Sequence, residues 1–261
     1  MNDIPLSQEQ RAREFWDQQL QGELPVLELP FDRDRSGAAR TVDSVRRRVP
    51  ARALRRLADH HGVAIETVVL AAYCVLLQRY AGQDELVVGL ASARGVLPIR
   101  VNLAERPAFR ALVAEVGRLA TGARGHADYP VAALLDELRG GRDPGHAPMF
   151  QAVFAAGGPD GGELAVAGAA FDLALGATAV DGELALALGY DARLFARGTI
   201  ERIASAFAFL LEGIAGDPDR RVTDLPMLTP EERRRVVVEW NATAREFPRD
   251  RLLHDHVADH A

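Results

Sequence analysis

Residues 65–89 read IETVVLAAYCVLLQRYAGQDELVVG, and the expected architecture is built around them. From Ile65 to Tyr80 the side chains are apolar nearly all round, so a helix here has no wet face and must lie centrally. Gly82 breaks that helix, and Gln83-Asp84 turns the chain into a short apolar strand over 85–89. A buried helix feeding directly into a strand is the beginning of an α/β arrangement.

The flanking segments extend it. Ser7-Gln8-Glu9-Gln10 fits a capping box, opening a helix to about Leu20. Pro25 and Pro30 forbid a helix through 24–30, which is therefore extended. Residues 37–40 read as a loop, and 41–49 as a strand with Arg46 and Arg48 on its wet face. A helix over 50–61 places Leu54 and Leu57 at helical spacing. Downstream, 97–103 reads as a strand, and Pro107 takes the first position of a helix ending near Gly125. Pro130 starts a further helix that Gly140-Gly141 stops.

The second half is richer in hairpin signals. Residues 150–155 read as a strand and 157–162 as a turn. Strands over 171–180 and 183–190 flank Asp181-Gly182, the strongest short hairpin signal. A helix over 198–215 carries Ile200, Ile203, Phe207 and Leu211 down one stripe, and Asp217-Pro218 breaks it. Thr229-Pro230-Glu231-Glu232 is a second capping box, opening a last helix to about Trp240. Hairpin strands together with strands joined through helices imply an α/β sandwich with a mixed sheet.

Composition sets the outer limits. With 261 residues, 48% hydrophobic and 26% charged, the chain can bury about three quarters of its unfolded surface. Its net charge of −6 offers no excess cation to displace counterions from phosphates, so nucleic acid is not an expected partner. Cys74 is the only cysteine; it excludes an intrachain disulfide and, in an apolar run, reads as an inert core thiol. Met1-Asn2-Asp3-Ile4-Pro5 has no basic region leading into an apolar run, so no signal peptide is expected. No stretch approaches the ~18 consecutive apolar residues of a membrane span. The expected compartment is the cytoplasm.

Several segments, in this order, resemble the condensation domains of nonribosomal peptide synthetases. Phe15-Trp16-Asp17-Gln18-Gln19-Leu20, followed by Leu24 to Pro30 and Asp32, Arg33 and Arg35, is similar to the family's "yWreqL…lpvLeLPtDrpRp". Ala71-Ala72-Tyr73 through Gly89 is similar to "AAyavLLaRysGqdDvvvG". His126-Ala127-Asp128-Tyr129-Pro130-Val131 is similar to "HQDyPFE". Arg142-Asp143 with Pro148-Met149-Phe150-Gln151 is similar to "RDxSRNPLFQ", and Phe171-Asp172-Leu173 to "FDLtl". Leu225 to Glu232, then Glu239-Trp240-Asn241-Ala242-Thr243 and Leu253-His254, are similar to the linker before an adenylation domain.

The resemblance implies a chloramphenicol-acetyltransferase-like lobe, one lobe where the family has two. Residues 1–221 would form the C-terminal lobe of a truncated condensation domain. Residues 222–261 would form the linker and the start of the adenylation region, with Leu225, Leu228, Trp240, Asn241 and Thr243 at the interface. His126, Asp128, Tyr129, Pro130, Arg142, Asp143 and Pro148 are the remnants of the family motifs. The family's "HHxxxDG" belongs to its N-terminal lobe. The pair His60-His61 lacks the Asp-Gly at the required spacing, where Glu66-Thr67 stands, and is a decoy. Between Gly89 and Leu97 the family has about twenty more residues, including "GxFVNT", which contribute to the floor of its acceptor tunnel. Ala127 replaces Gln, and Gly145-His146-Ala147 replaces "SRN". The resemblance would pair Arg142 with the Asp of "HHxxxDG".

Other chemistry fits less well. His126 and His146 lie near turns and read as solvated residues. His254, His256 and His260 have metal-like spacing without an obvious fourth ligand. Asp128 is placed to cap the helix after it. The glycines at 157, 158, 161 and 162 are not a phosphate loop, since no Lys-Ser/Thr helix follows. The leading expectation is a noncatalytic platform for a C-terminal adenylation domain in cis. The alternatives are half of a split condensation enzyme completed in trans, and a docking module for an upstream carrier protein or synthase. A homodimer through the face the other lobe would cover is a further arrangement. No cofactor or metal is expected; phosphopantetheine would belong to a partner carrier domain.

Overall fold

A computed structural model describes residues 7–35, 40–131, 134–135, 150–157 and 171–244. They divide into a compact unit, Met1–Met227, and a second unit, Leu228–Ala261.

The compact unit is built on one six-stranded mixed sheet in the order β1-β6-β5-β4-β2-β3. Its strands are β1 (Val42–Pro50), β2 (Glu85–Ser92), β3 (Gly95–Asn102), β4 (Ala152–Ala156), β5 (Leu173–Val180) and β6 (Glu183–Asp191). Among the described residues, the helices of this unit whose bounds are defined are α1 (Gln8–Gln19), α2 (Arg52–His61), α3 (Ile65–Ala81), α4 (Phe109–Gly125) and α5 (Arg197–Gly216). The chain is thus an α/β lobe with a mixed sheet, the class its sequence implies. Among the described residues no single helix is long and apolar enough to cross a membrane.

Helix α3 is central for the reason its sequence gives. Every residue from Thr67 to Gln78 is buried, and the helix packs on β2 and β5 while touching α2, α4 and α5. Burial lifts the Cys74 thiol to about 12, so it stays protonated and packs as a small hydrophobe. Strand β2 is buried at five consecutive positions, 86–90, so both its faces are covered, as expected of a strand with parallel pairing. It pairs in parallel with β4.

Two tight hairpins set the register. Asp181 and Gly182 take φ of 50° and 81°, the left-handed pair a two-residue type I′ turn needs. The second hairpin lies in the stretch left between the strands expected over 85–89 and 97–103: residues 90–96 extend both β2 and β3, closing at the Ser92–Gly95 pair. The Ser92 hydroxyl donates to the Gly95 carbonyl (2.7 Å) and accepts from the Arg94 N–H (3.2 Å).

The start of α4 corrects one expectation. Pro107 precedes the helix, which begins at Phe109 after Ala108. The N–H groups of Phe109 and Arg110 donate to the carbonyls of Arg220 and Pro218, while Val222 N–H donates to the Pro107 carbonyl. A distant backbone segment therefore does the capping that a side chain usually does. That segment is held further by Arg79, which donates to the Thr223 carbonyl at 2.8 Å.

The extended segment 21–35 takes several of its backbone partners from side chains, while the Asp32 and Arg33 N–H groups donate to the Leu194 carbonyl. Gln83 accepts from Glu28 N–H (2.8 Å) and donates to the Val26 carbonyl (3.0 Å). Gln151 accepts from Leu27 N–H (3.1 Å). Arg100 donates to the Gln21 and Glu23 carbonyls. Farther along, Asp32 accepts from Ala196 N–H (2.8 Å) and the Thr199 hydroxyl (2.9 Å), so a residue 164 positions away caps α5.

The cap gives a pH signature. The Ala196 N–H bond, opposed by some burial and aided by Thr199, Arg202 and Arg33, holds the Asp32 carboxyl below the ordinary 3.8. A depressed carboxyl stabilises the fold above the unfolded value, and that contribution vanishes as pH falls through the folded one. Asp32→Ala is expected to cost about 1–2 kcal/mol in urea unfolding at pH 7. The gap between wild type and variant should narrow as pH falls through the depressed folded-state pKa of Asp32.

Candidate functional site

The first candidate is the turn 126–130 at the end of α4. Trp16 is fully buried, and its indole N–H donates to the His126 carbonyl at 3.1 Å. The neighbouring Phe15 ring stacks on the His126 ring, with centroids 4.7 Å apart. Gly122 makes this approach feasible, because a Cβ there would sit 2.7 Å from Phe15 Cε2. The aromatic pair of the first helix and the motif turn are thus one contact, formed across 110 residues of sequence.

A cavity of about 290 Å³ lies beside this turn, lined by Gln8, Glu9, Ala12, His126, Asp128 and Tyr129 among others. Among the described residues, Asp128 finds its partner in a side chain. Its carboxylate meets Arg94 from the β2–β3 turn at 2.8 Å, both side chains about two-thirds exposed. The chain is next helical at Val131, and Pro130 accepts from Leu134 N–H. An exposed pair of this kind contributes about 0–1 kcal/mol. Arg142, Asp143 and Pro148 lie outside the described residues, as do His146, His254, His256 and His260.

His60 and His61 stand at the C-terminal end of α2, their rings 5.2 Å apart. Burial, with the charges of His60 and Arg110, holds His61 below the ordinary 6.5. The described residues hold no group of three or more metal-ligating side chains.

The second candidate is the Leu228–Ala261 unit. Thr229 and Glu232 form the capping box the sequence announces, opening α6 (Pro230–Arg234). The helix does not continue regularly to Trp240: a π-helical turn, Arg235–Glu239, follows. Asn241 Nδ2 donates to the Val236 (2.8 Å) and Val237 (3.1 Å) carbonyls, closing the end that the wider turn leaves open. Val237, Val238 and Trp240 are exposed, Trp240 by 67%. Thr243 is also exposed, and Leu228 is 47% exposed. Leu225 differs: it is 2% exposed and belongs to the core of the compact unit.

Sequence reading missed one constellation. Arg35 clasps Asp172 in two hydrogen bonds of 2.9 and 2.6 Å, with Asp172 only 1% exposed. Burial raises the Asp172 carboxyl above 3.8, and the Arg35 bonds offset this only in part. Nearby, Arg193 pairs with the buried Asp191 at 2.6 Å, and the Arg40 guanidinium lies over the Phe171 ring, 4.2 Å from its centroid. Burial works against the charged form of Asp191, but the Arg193 bonds and the charges of Arg193 and Arg40 outweigh it and lower its pKa. The signal was present, since Arg35 and Asp172 both sit in family-like stretches, but nothing local links positions 137 residues apart.

The family profile described as Condensation domain matches residues 5–94 and 95–237, two segments that meet at the tip of the β2–β3 turn. The chain belongs to the condensation-domain family. It is 33% identical over 92% of its length to tyrocidine synthase 3 of Brevibacillus parabrevis. It is 28% identical over 94% of its length to gramicidin S synthase 2 of Brevibacillus brevis. It spans only 4% and 6% of those proteins. Among solved structures it is similar to the X-domain from teicoplanin biosynthesis: TM-score 0.73, 28% identity, covering 85% of this chain and 58% of that one. A four-domain nonribosomal peptide synthetase bound to AMP and glycine shares the fold at TM-score 0.74 and 18% identity, over 87% of this chain and 21% of that one.

Removing the buried acid should be severe. Asp172→Ala strands the Arg35 charge and is expected to cost about 3–5 kcal/mol. The double variant Asp172→Leu with Arg35→Met should recover most of that loss in the same denaturant titration.

Proposed function

We propose that this chain is a noncatalytic partial condensation domain of a nonribosomal peptide synthetase, serving as a platform for an adenylation domain that follows it. The observation carrying this reading is the β2–β3 connection. Where the resemblance places a long tunnel-floor segment, the chain turns at Ala93-Arg94 with a Ser92–Gly95 closing pair. A general base needs substrates held within hydrogen-bond reach and in fixed orientation. Among the described residues, a tight hairpin in place of that floor and a His pair at a helix end supply neither. The exposed Val237, Val238 and Trp240 supply an apolar surface of the kind interfaces use.

Deleting residues 1–220 from the parent synthetase tests the platform. The expected result is lower solubility or thermal stability of the adenylation domain, with the peptide-bond step unchanged. An adenylation domain equally soluble and stable after the deletion overturns it.

A second reading is favoured by one comparison. The teicoplanin X-domain, 28% identical to this chain, is also solved in complex with OxyB. A lobe of this fold can therefore serve by holding another protein, and a docking role toward a carrier protein or an upstream synthase follows the same logic.

A further inference from the structure

We propose that the groove between α2 and α5 docks an acidic, amphipathic segment of a partner protein, independently of the platform role. The groove has a volume of about 380 Å³, with Val49, Pro50, Ala53, Leu54, Leu211 and Ala215 on its floor and sides. Val49, Leu54 and Leu211 are buried beneath it, so the floor is fixed by the core. Arg52 and Arg56, one helical turn apart, line the α2 wall, and Glu212 stands on the α5 wall.

The charge distribution is uneven. Residues 46–56 contain six arginines and no acid, in a chain of net charge −6. Within this stretch Arg48 meets Glu183, and elsewhere in the compact unit Arg35, Arg94, Arg100, Arg110, Arg118 and Arg193 each meet a carboxylate. Arg52, Arg55 and Arg56 are exposed, and among the described residues none has a carboxylate partner. They crowd one side of α2, whose first turn holds no acidic residue, and like charges at this spacing repel. An acidic partner relieves that repulsion and gains attraction at once.

The same features choose the class of partner. A uniform polyanion such as nucleic acid would meet Glu212 on the far wall and leave the apolar floor without a use. A helical segment with glutamates on one face and leucines on the other satisfies both the arginine wall and the floor.

The test uses the full chain and a fluorescein-labelled helical peptide built of Glu and Leu, with leucines at helical spacing, read by fluorescence anisotropy. We expect saturable binding that weakens as salt rises. Arg52→Glu together with Arg56→Glu should weaken it by about tenfold or more. Ala53→Trp, which fills the groove and keeps the charge, should do the same, and so should a peptide with serine in place of leucine. The charge-reversed variant should keep or raise its Tm, since acids belong at a helix start; this separates lost docking from lost folding. No binding by the wild type overturns the proposal, as does unchanged affinity in the charge-reversed variant. Displacement of the peptide more strongly by a single-stranded oligonucleotide or by anionic lipid vesicles than by unlabelled peptide overturns it equally.

Discussion

The structure depends on satisfying a backbone that cannot satisfy itself. Residues 21–35 contain Pro25 and Pro30 and form neither helix nor strand, yet Leu27 and Leu29 are buried. Buried backbone polar groups need partners, and the buried Leu27 N–H finds its partner in Gln151, while Gln83 and Arg100 engage more exposed backbone along the same segment. The segment then ends on the clasp between Arg35 and Asp172. A pair this buried is a weak source of net stability but a strong source of specificity in one respect: either partner alone is costly. The strap can be in place or the charge stranded, with little between.

The same constraint reaches the ends of the helices. Helix α4 takes its first backbone partners from residues 218 and 220, and α5 takes its cap from Asp32. The stretch after α5 is consequently part of the lobe. Val222 and Leu225 are in the core, and Pro226 lies so close to Gly213 that a Cβ there would approach its ring within 2.6 Å. The polypeptide leaves the compact unit only after Met227.

Strand β1 lies at one edge of the sheet. Ala192 N–H donates to the Thr41 carbonyl and Ala51 N–H to the Gly182 carbonyl. By antiparallel alternation the even-numbered residues of β1 therefore turn their backbone groups outward. Two of those groups are already engaged by side chains: Asp43 accepts from Ser44 N–H, and Arg47 donates to the Arg46 carbonyl. Pro50 has no N–H to offer. Arginines, a proline and self-capped backbone are the devices by which edge strands resist pairing with another sheet.

Features that rest on near neighbours along the chain were legible from the amino acids alone. The apolar helix 65–81, the Asp181-Gly182 turn and the capping boxes at Ser7 and Thr229 all rest on residues at most a few positions apart. Family-like stretches identified the lobe for the same reason, since each is contiguous. How those stretches meet one another is visible only in the folded chain. Trp16 with His126, Arg35 with Asp172, and Asp32 with the start of α5 are separated by 110, 137 and 164 positions. The short β2–β3 hairpin and the delayed start of α4 were decided there too. A register and a cap depend on which backbone groups lie opposite in space, and spacing along the chain does not carry that information.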